Sequence, residues 1–238
     1  YLENVFYKSI SNIYKYIKTN VFDGQDFDND IINLGFWPGG DRDGNPYVTT
    51  KITLKTANKL RSDIIKNYYR DIRSLRRRLT FKNIESKVID IENRLYRSIF
   101  NENKTPKISL NELKNCLDEI KSILISEHNS LFLDELQDII DKVNIFGYHF
   151  ASLDIRQDSR IHSSAFSSIF KISQQKLNKL FPDNYLDLNE LKKIKTLSKI
   201  KGDISPDLFD DDLTKSTLSS IRAMKEIQIE NGEKACNR

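Results

Sequence analysis

The residues of this 238-residue chain whose types could do chemistry gather at two places. At the first, Trp37 precedes the run Pro38, Gly39, Gly40, Asp41, Arg42, Asp43, Gly44, Asn45 and Pro46. Only eight glycines occur in the chain, and Gly35, Gly39, Gly40 and Gly44 fall in this stretch, so the backbone here needs positive φ or close approach to another group. Asp41, Asp43 and Asn45 alternate like the first ligands of a calcium loop, but the sixth and twelfth positions hold Pro46 and Ile52, which excludes an EF-hand. Two readings of the loop stay open. Its Asp side chains cap backbone N–H groups in Asx turns, or the loop faces a ligand. Trp37, the only Trp, is correspondingly a core anchor or a substrate wall. At the second place Arg156 follows Phe150-Ala151-Ser152-Leu153-Asp154-Ile155. An Arg at the carboxyl end of a strand faces the mouth of an α/β sheet or barrel, and its planar fork suits phosphate or carboxylate. The alternative is a buried ion pair with Asp154 or Asp158.

Other clusters carry less. Arg70, Arg73, Arg76, Arg77 and Arg78, with Tyr68 and Tyr69, resemble a basic nucleic-acid stripe, but Arg73, Arg76 and Arg77 lie on the polar side of the Leu75 and Leu79 stripe. A solvated or intersubunit face is the plainer reading. His128, His149 and His162 share no helical spacing and are read as structural, with no metal site.

These residues must be positioned by helices. Leu2, Phe6, Ile10, Ile13 and Ile17 predict an amphipathic helix over 1–19. Leu54, Ala57, Leu60, Ile64, Tyr68, Ile72, Leu75 and Leu79 predict a longer one over 53–79. A third runs from Ile84 through Val88, Ile91 and Leu95 to Ile99, and Thr105-Pro106 interrupts the pattern. Ser109 and Glu112 then form a capping box that opens a helix to about residue 126. Leu133, Leu136, Ile140 and Val143 continue the period to Gly147, and weaker helical patterns cover 160–181, 187–200 and 212–231. Short strands are expected near 34–37 and 150–155, where a rigid scaffold would display its chemistry on irregular backbone. The fold class is mainly α.

Composition sets the outer bounds. With 38 Lys+Arg against 34 Asp+Glu the formal charge is only +4, and 38% of residues are hydrophobic, a composition that is globular and well short of a dedicated nucleic-acid binder. No apolar run approaches the ~20 residues of a membrane-spanning helix. Cys116 and Cys236 lie far apart and form neither a disulfide framework nor a zinc motif, so a reducing cytoplasm is the expected compartment. The chain opens on Tyr1 rather than Met, and an internal piece of something larger is expected.

Taken together, Gly35-Phe36-Trp37-Pro38-Gly39-Gly40-Asp41-Arg42-Asp43-Gly44-Asn45-Pro46-Tyr47-Val48-Thr49 and Leu153-Asp154-Ile155-Arg156-Gln157-Asp158-Ser159-Arg160-Ile161-His162 closely resemble two signatures of the phosphoenolpyruvate carboxylase family. The residue-level likeness covers about 25 of 238 positions. It implies a lyase that joins bicarbonate to phosphoenolpyruvate, giving oxaloacetate and phosphate with Mg or Mn, as a homotetramer much longer than this chain. It also implies that residues 1–238 are a single partial domain, the central part of an α-rich modified (β/α) barrel. On this resemblance Arg156 matches the Arg that holds the substrate phosphate, and Trp37 matches the Trp lining the pocket around the reacting methylene carbon. Arg42 assists with bicarbonate or phosphate, while Gly39, Gly40, Asp41, Asp43, Gly44 and Asn45 shape the loop. Phe36 stands where many relatives carry a small residue, and Pro38 where Met is common. The family's T-A-H-P-T-E segment, its G-R-G-G loop and its metal-binding carboxylates do not appear in the sequence, so no metal ligand and no activity of the chain alone are expected. The competing class is a non-catalytic helical interaction module with a basic nucleic-acid-binding helix.

Overall fold

The three- and four-residue spacing of apolar side chains becomes, in a computed structural model, α1 (Tyr7–Asn20), α2 (Thr50–Arg76), α3 (Glu85–Phe100), α4 (Leu110–Glu127), α5 (Leu133–Phe146), α6 (Ser159–Lys176), α7 (Glu190–Leu197) and α8 (Asp212–Asn231). The structure describes residues 1–25, 31–43, 45, 47–100, 107–176 and 181–236. The expected break at Thr105-Pro106 lies outside them.

The N-terminal helix departs from the expected face. Residues Leu2–Phe6 form a π-helical turn before α1 begins. A π turn takes more residues than an α turn, so the buried face of the helix turns relative to the expected one. The next inward residue after Leu2 is therefore Tyr7, then Ile10 and Tyr14, while Phe6 and Ile13 are exposed. Ser109 caps α4 as expected: its side chain accepts the Glu112 N–H, and the Glu112 carboxylate accepts the Ser109 N–H at 2.7 Å. Those bonds, together with Arg94, hold the Glu112 carboxyl down to about 2. At the far end of α5 the chain leaves through Gly147 at φ 49°. A Cβ there would come within 2.9 Å of the His149 ring, so glycine is required by backbone and space together.

Both strands are shorter than expected. β1 is Gly35–Phe36 and β2 is Ser152–Leu153, paired in parallel with Gly35 opposite Ser152 and Phe36 opposite Leu153. The Ser152 N–H reaches the Leu34 carbonyl at 2.8 Å, and the Asp154 N–H reaches Phe36 at 3.0 Å. β1 cannot continue past Trp37, because Pro38 has no N–H to give. β2 cannot start earlier, because Phe150 sits at φ 63°.

The described residues cluster into two compact units. One comprises residues 1–36, 55–154 and 227–238; the other comprises 37–54 and 155–226. The core of the first is built from α1 to α5, with Ile64, Tyr68, Ile72, Leu95, Leu113, Ile120, Leu136 and Phe146 among its buried side chains. In that core Lys142 places its ammonium 2.9 Å from Asp71 and 2.7 Å from Asp138. Tyr7 donates to the same Asp71 at 2.8 Å, and Ser11 to Asp138 at 2.7 Å. The second unit packs Ile169, Phe181, Tyr185 and Phe209 into a smaller core.

Candidate functional site

Pro38 and Gly39 form the corner of a tight turn. The Gly40 N–H closes it on the Trp37 carbonyl at 2.9 Å, and Gly39 takes φ 83°. Proline followed by a residue at positive φ is the signature of a type II turn, so Pro38 is the residue that pre-sets the corner. A second parallel bridge then pairs Asp41 with Arg156. Its bonds run from the Arg156 N–H to the Gly40 carbonyl at 3.1 Å and from the Arg42 N–H to the Arg156 carbonyl at 3.0 Å. This backbone pairing joins the two motifs, which are far apart in sequence.

Its consequence is the meeting of two side chains. The Arg156 guanidinium carbon lies 4.5 Å from the centroid of the Trp37 ring. That is within cation–π range, an interaction of about 0.5–1 kcal/mol at an exposed site. Trp37 is 57% exposed, which removes the reading of it as a core anchor. Arg156 is exposed as well. Asp158 is engaged elsewhere. It receives the Arg160 N–H at 2.8 Å near the start of α6 and the Arg160 side chain at 2.9 and 2.5 Å. Those bonds hold its carboxyl below the usual range. The pair formed by Trp37 and Arg156 is thus a cation laid on an apolar face, both open to solvent, suited to an anion that carries a small apolar group.

The rest of the loop is positioned rather than displayed. The Asp41 carboxylate accepts the Asp43 N–H at 3.4 Å, and Asn45 accepts the Tyr47 N–H at 3.1 Å. Those are the Asx turns of the plainer reading. Gly40 is buried; Gly44 lies outside the described residues. Arg42 donates to the Ser216 hydroxyl at 2.5 Å and to the Ser216 carbonyl at 3.4 Å, and burial lowers its pKa from the usual arginine value. Two residues of this site escape the motifs. One is Ser216. The other is Thr53, whose hydroxyl donates to the Gly39 carbonyl at 2.7 Å. Thr53 carried a signal, because it stands in phase with the stripe Ala57, Leu60 and Ile64; Ser216 carried none.

Among the described residues no group of three or more His, Cys, Asp or Glu is arranged to hold a metal ion. The Asp41 carboxylate accepts the Asp43 N–H in the loop turn, and Asp158 is held by Arg160. His149 is half-buried, and its desolvation followed by Lys234 pushes it down to about 4. His128 stacks on Phe81 with ring centroids 4.8 Å apart. Cys116 and Cys236 are free thiols, both pushed up by burial, Cys236 to about 11. The Arg70–Arg78 stretch is committed to neighbours: Arg76 to Glu92 at 2.6 Å, Arg78 to Glu135 at 2.5 Å and Arg70 to Asn67 at 3.2 Å. Arg70, Arg73, Arg76, Arg77 and Arg78 are all exposed to solvent on this face.

A model of the phosphoenolpyruvate carboxylase family matches residues 1–109 and 90–238. The chain belongs to the phosphoenolpyruvate carboxylase family. A phosphoenolpyruvate carboxylase of Nitrosomonas eutropha is 27% identical over 254 aligned positions, covering 86% of this chain and 26% of its own length. One from Trichormus variabilis is 25% identical over 291 positions, covering 99% of this chain and 28% of its own. The chain therefore spans about a quarter of the length of the curated relatives it matches. Within the phosphoenolpyruvate carboxylase family, the two motifs read from the sequence are the segments that the backbone pairing at Gly40, Arg42 and Arg156 brings together.

Proposed function

We propose that this chain is the central part of a longer phosphoenolpyruvate carboxylase, a lyase that converts phosphoenolpyruvate and bicarbonate to oxaloacetate and phosphate. The observation that carries the reading is the Arg156 guanidinium laid 4.5 Å above the Trp37 ring. Phosphoenolpyruvate is an anion with an apolar methylene, and the pair offers one group for each part. In the proposed sequence bicarbonate oxygen attacks phosphorus, the bond from phosphorus to the enol oxygen breaks, and carboxyphosphate and the enolate of pyruvate result. Carboxyphosphate then releases carbon dioxide and phosphate, and the enolate carbon forms the new carbon–carbon bond. Arg156 stabilises the charge that develops on the phosphoryl oxygens. Trp37 keeps water from the methylene carbon, where a proton would end the reaction as pyruvate. Arg42, held by Ser216, adds positive potential at the loop, which Gly39, Gly40, Asp41, Asp43 and Asn45 shape. The role of Gly44 in the same motif belongs to the proposal from sequence alone.

Mg or Mn belongs to the full-length protein in this proposal, with its ligands supplied outside these 238 residues. So do the remainder of the (β/α) barrel, the homotetramer and the cytoplasmic location. The 238-residue chain alone forms no oxaloacetate. The test is oxaloacetate formation coupled to malate dehydrogenase, by the full-length protein with and without Arg156→Ala, at saturating bicarbonate and Mg. An active parent whose variant loses at least ~100-fold in kcat/KM, about 2.7 kcal/mol of transition-state stabilisation, supports the reading. Equal turnover removes Arg156 from the phosphate, and an inactive parent limits the family relationship to ancestry.

A further inference from the structure

We propose that Thr53 is a positioning residue of this site: through the Gly39 carbonyl its hydroxyl sets where Trp37 stands against Arg156. The proposal rests on reading Trp37 and Arg156 as the substrate pocket, and it adds a residue that neither motif contains.

The geometry runs through single peptide planes. Thr53 lies in the first turn of α2 and is 2% exposed. Its hydroxyl stands 2.7 Å from the Gly39 carbonyl and 3.3 Å from the Thr49 carbonyl. A hydroxyl has one proton to give, and the shorter contact takes it, while the longer is the ordinary back-contact of a helical threonine. The Gly39 carbonyl shares its peptide plane with the Gly40 N–H, which closes the turn on the Trp37 carbonyl at 2.9 Å. The Gly40 carbonyl, in the next plane, receives the Arg156 N–H at 3.1 Å. Thr53 therefore holds the one plane that is bonded to Trp37 on one side and followed by the plane bonded to Arg156 on the other. Gly39 and Gly40 bring no side chains to lock the corner themselves, and glycine leaves the backbone its greatest freedom. The lock has to come from outside the loop, and a buried hydroxyl on a helix is a rigid place to put it.

The test compares Thr53→Val, which keeps the shape and removes the proton donor, with Thr53→Ser, which keeps the donor. In the full-length protein Thr53→Val is expected to lower kcat/KM for phosphoenolpyruvate by ~10–100-fold, as misplacement of a pocket by a fraction of an ångström does, with Thr53→Ser near wild type. A second readout does not depend on the activity. Trp37 is the only Trp of these 238 residues, and in the full-length protein its emission and acrylamide quenching are read as the difference from a Trp37→Phe control. Thr53→Val is expected to change both, and Thr53→Ser to restore them. Unchanged kinetics and unchanged quenching in Thr53→Val overturn the proposal. Thr53→Ser behaving like Thr53→Val also overturns it, since packing of the methyl would then be what matters. If circular dichroism shows that Thr53→Val does not fold, Thr53→Ala against Thr53→Ser makes the same comparison. An inactive wild-type parent would defeat the functional reading alone, and quenching would still decide Thr53.

Discussion

Two arginines in the matched motifs have different surroundings, and the difference separates their roles. Arg156 is exposed over an indole. Arg42 is half-buried and spends its guanidinium on the hydroxyl and carbonyl of Ser216, 174 residues away. The phosphate role proposed for Arg156 comes from its motif. The tie of Arg42 to Ser216 was not legible in sequence, because no local pattern encodes a contact across that separation. A double-mutant cycle on Arg42→Lys and Ser216→Ala, read by denaturant midpoint, tests the tie. Each single change is expected to cost ~1 kcal/mol, and the two together little more than one of them, because they remove the same hydrogen bond. Costs that simply add would mean that Arg42 does its work away from Ser216. The Asp and Asn side chains of the same loop show a different limit. Their spacing fitted both a ligand loop and Asx turns, and only the bonds from Asp43 N–H to Asp41 and from Tyr47 N–H to Asn45 decide between them.

At the scale of elements, helical period was the strongest signal in the chain. The long α2 stripe of Ala57, Leu60, Ile64, Tyr68, Ile72 and Leu75 is buried throughout, because straight α-helix keeps its phase over many turns. α1 shows where that argument fails. A π turn at Leu2–Phe6 changes the phase without changing the residue types, so of the pattern Leu2, Phe6, Ile10, Ile13, Ile17 the residue Ile10 is buried while Phe6 and Ile13 are exposed and Tyr7 and Tyr14 are buried beside them. The shift has a measurable consequence. Tyr7 is 3% exposed, while Phe6 is 43% exposed. Tyr7→Ala is expected to cost ~3–5 kcal/mol, since it opens a cavity and leaves Asp71 without its phenol, whereas Phe6→Ala is expected to stay within about 1 kcal/mol. Comparable losses for the two, by thermal or denaturant unfolding, would return the helix to an unshifted α phase. The strands were legible only as places. Pro38 and the positive φ of Phe150 cut each to two paired residues, a tertiary restriction that alternation of side chains does not reveal.

At the scale of the whole chain, neither compact unit is a continuous stretch of sequence, so no linker composition marks where one gives way to the other. What sequence does show is the abundance of charge, and the structure shows which charges the fold cannot tolerate. His149 is the clearest case. Burial, with Lys234 as the smaller cause, pushes its pKa from 6.5 down to about 4. In the folded chain the ring stays neutral where an unfolded chain would take up a proton. Between pH 6.5 and about 4 the unfolded state therefore binds more protons, and stability falls as pH falls through that window. At 1.36 kcal/mol per pH unit the loss attributable to this one ring approaches ~3 kcal/mol near the lower end. Above pH 6.5 both states hold a neutral ring, and the contribution is level. The measurement is the urea midpoint of the wild-type chain and of His149→Gln at pH 7 and at pH 4.5. The variant has no proton to take up, so its loss on acidification is expected to be smaller than the wild type's by about 2–3 kcal/mol. Parallel losses in the two proteins would mean that His149 is protonated in the fold at pH 4.5.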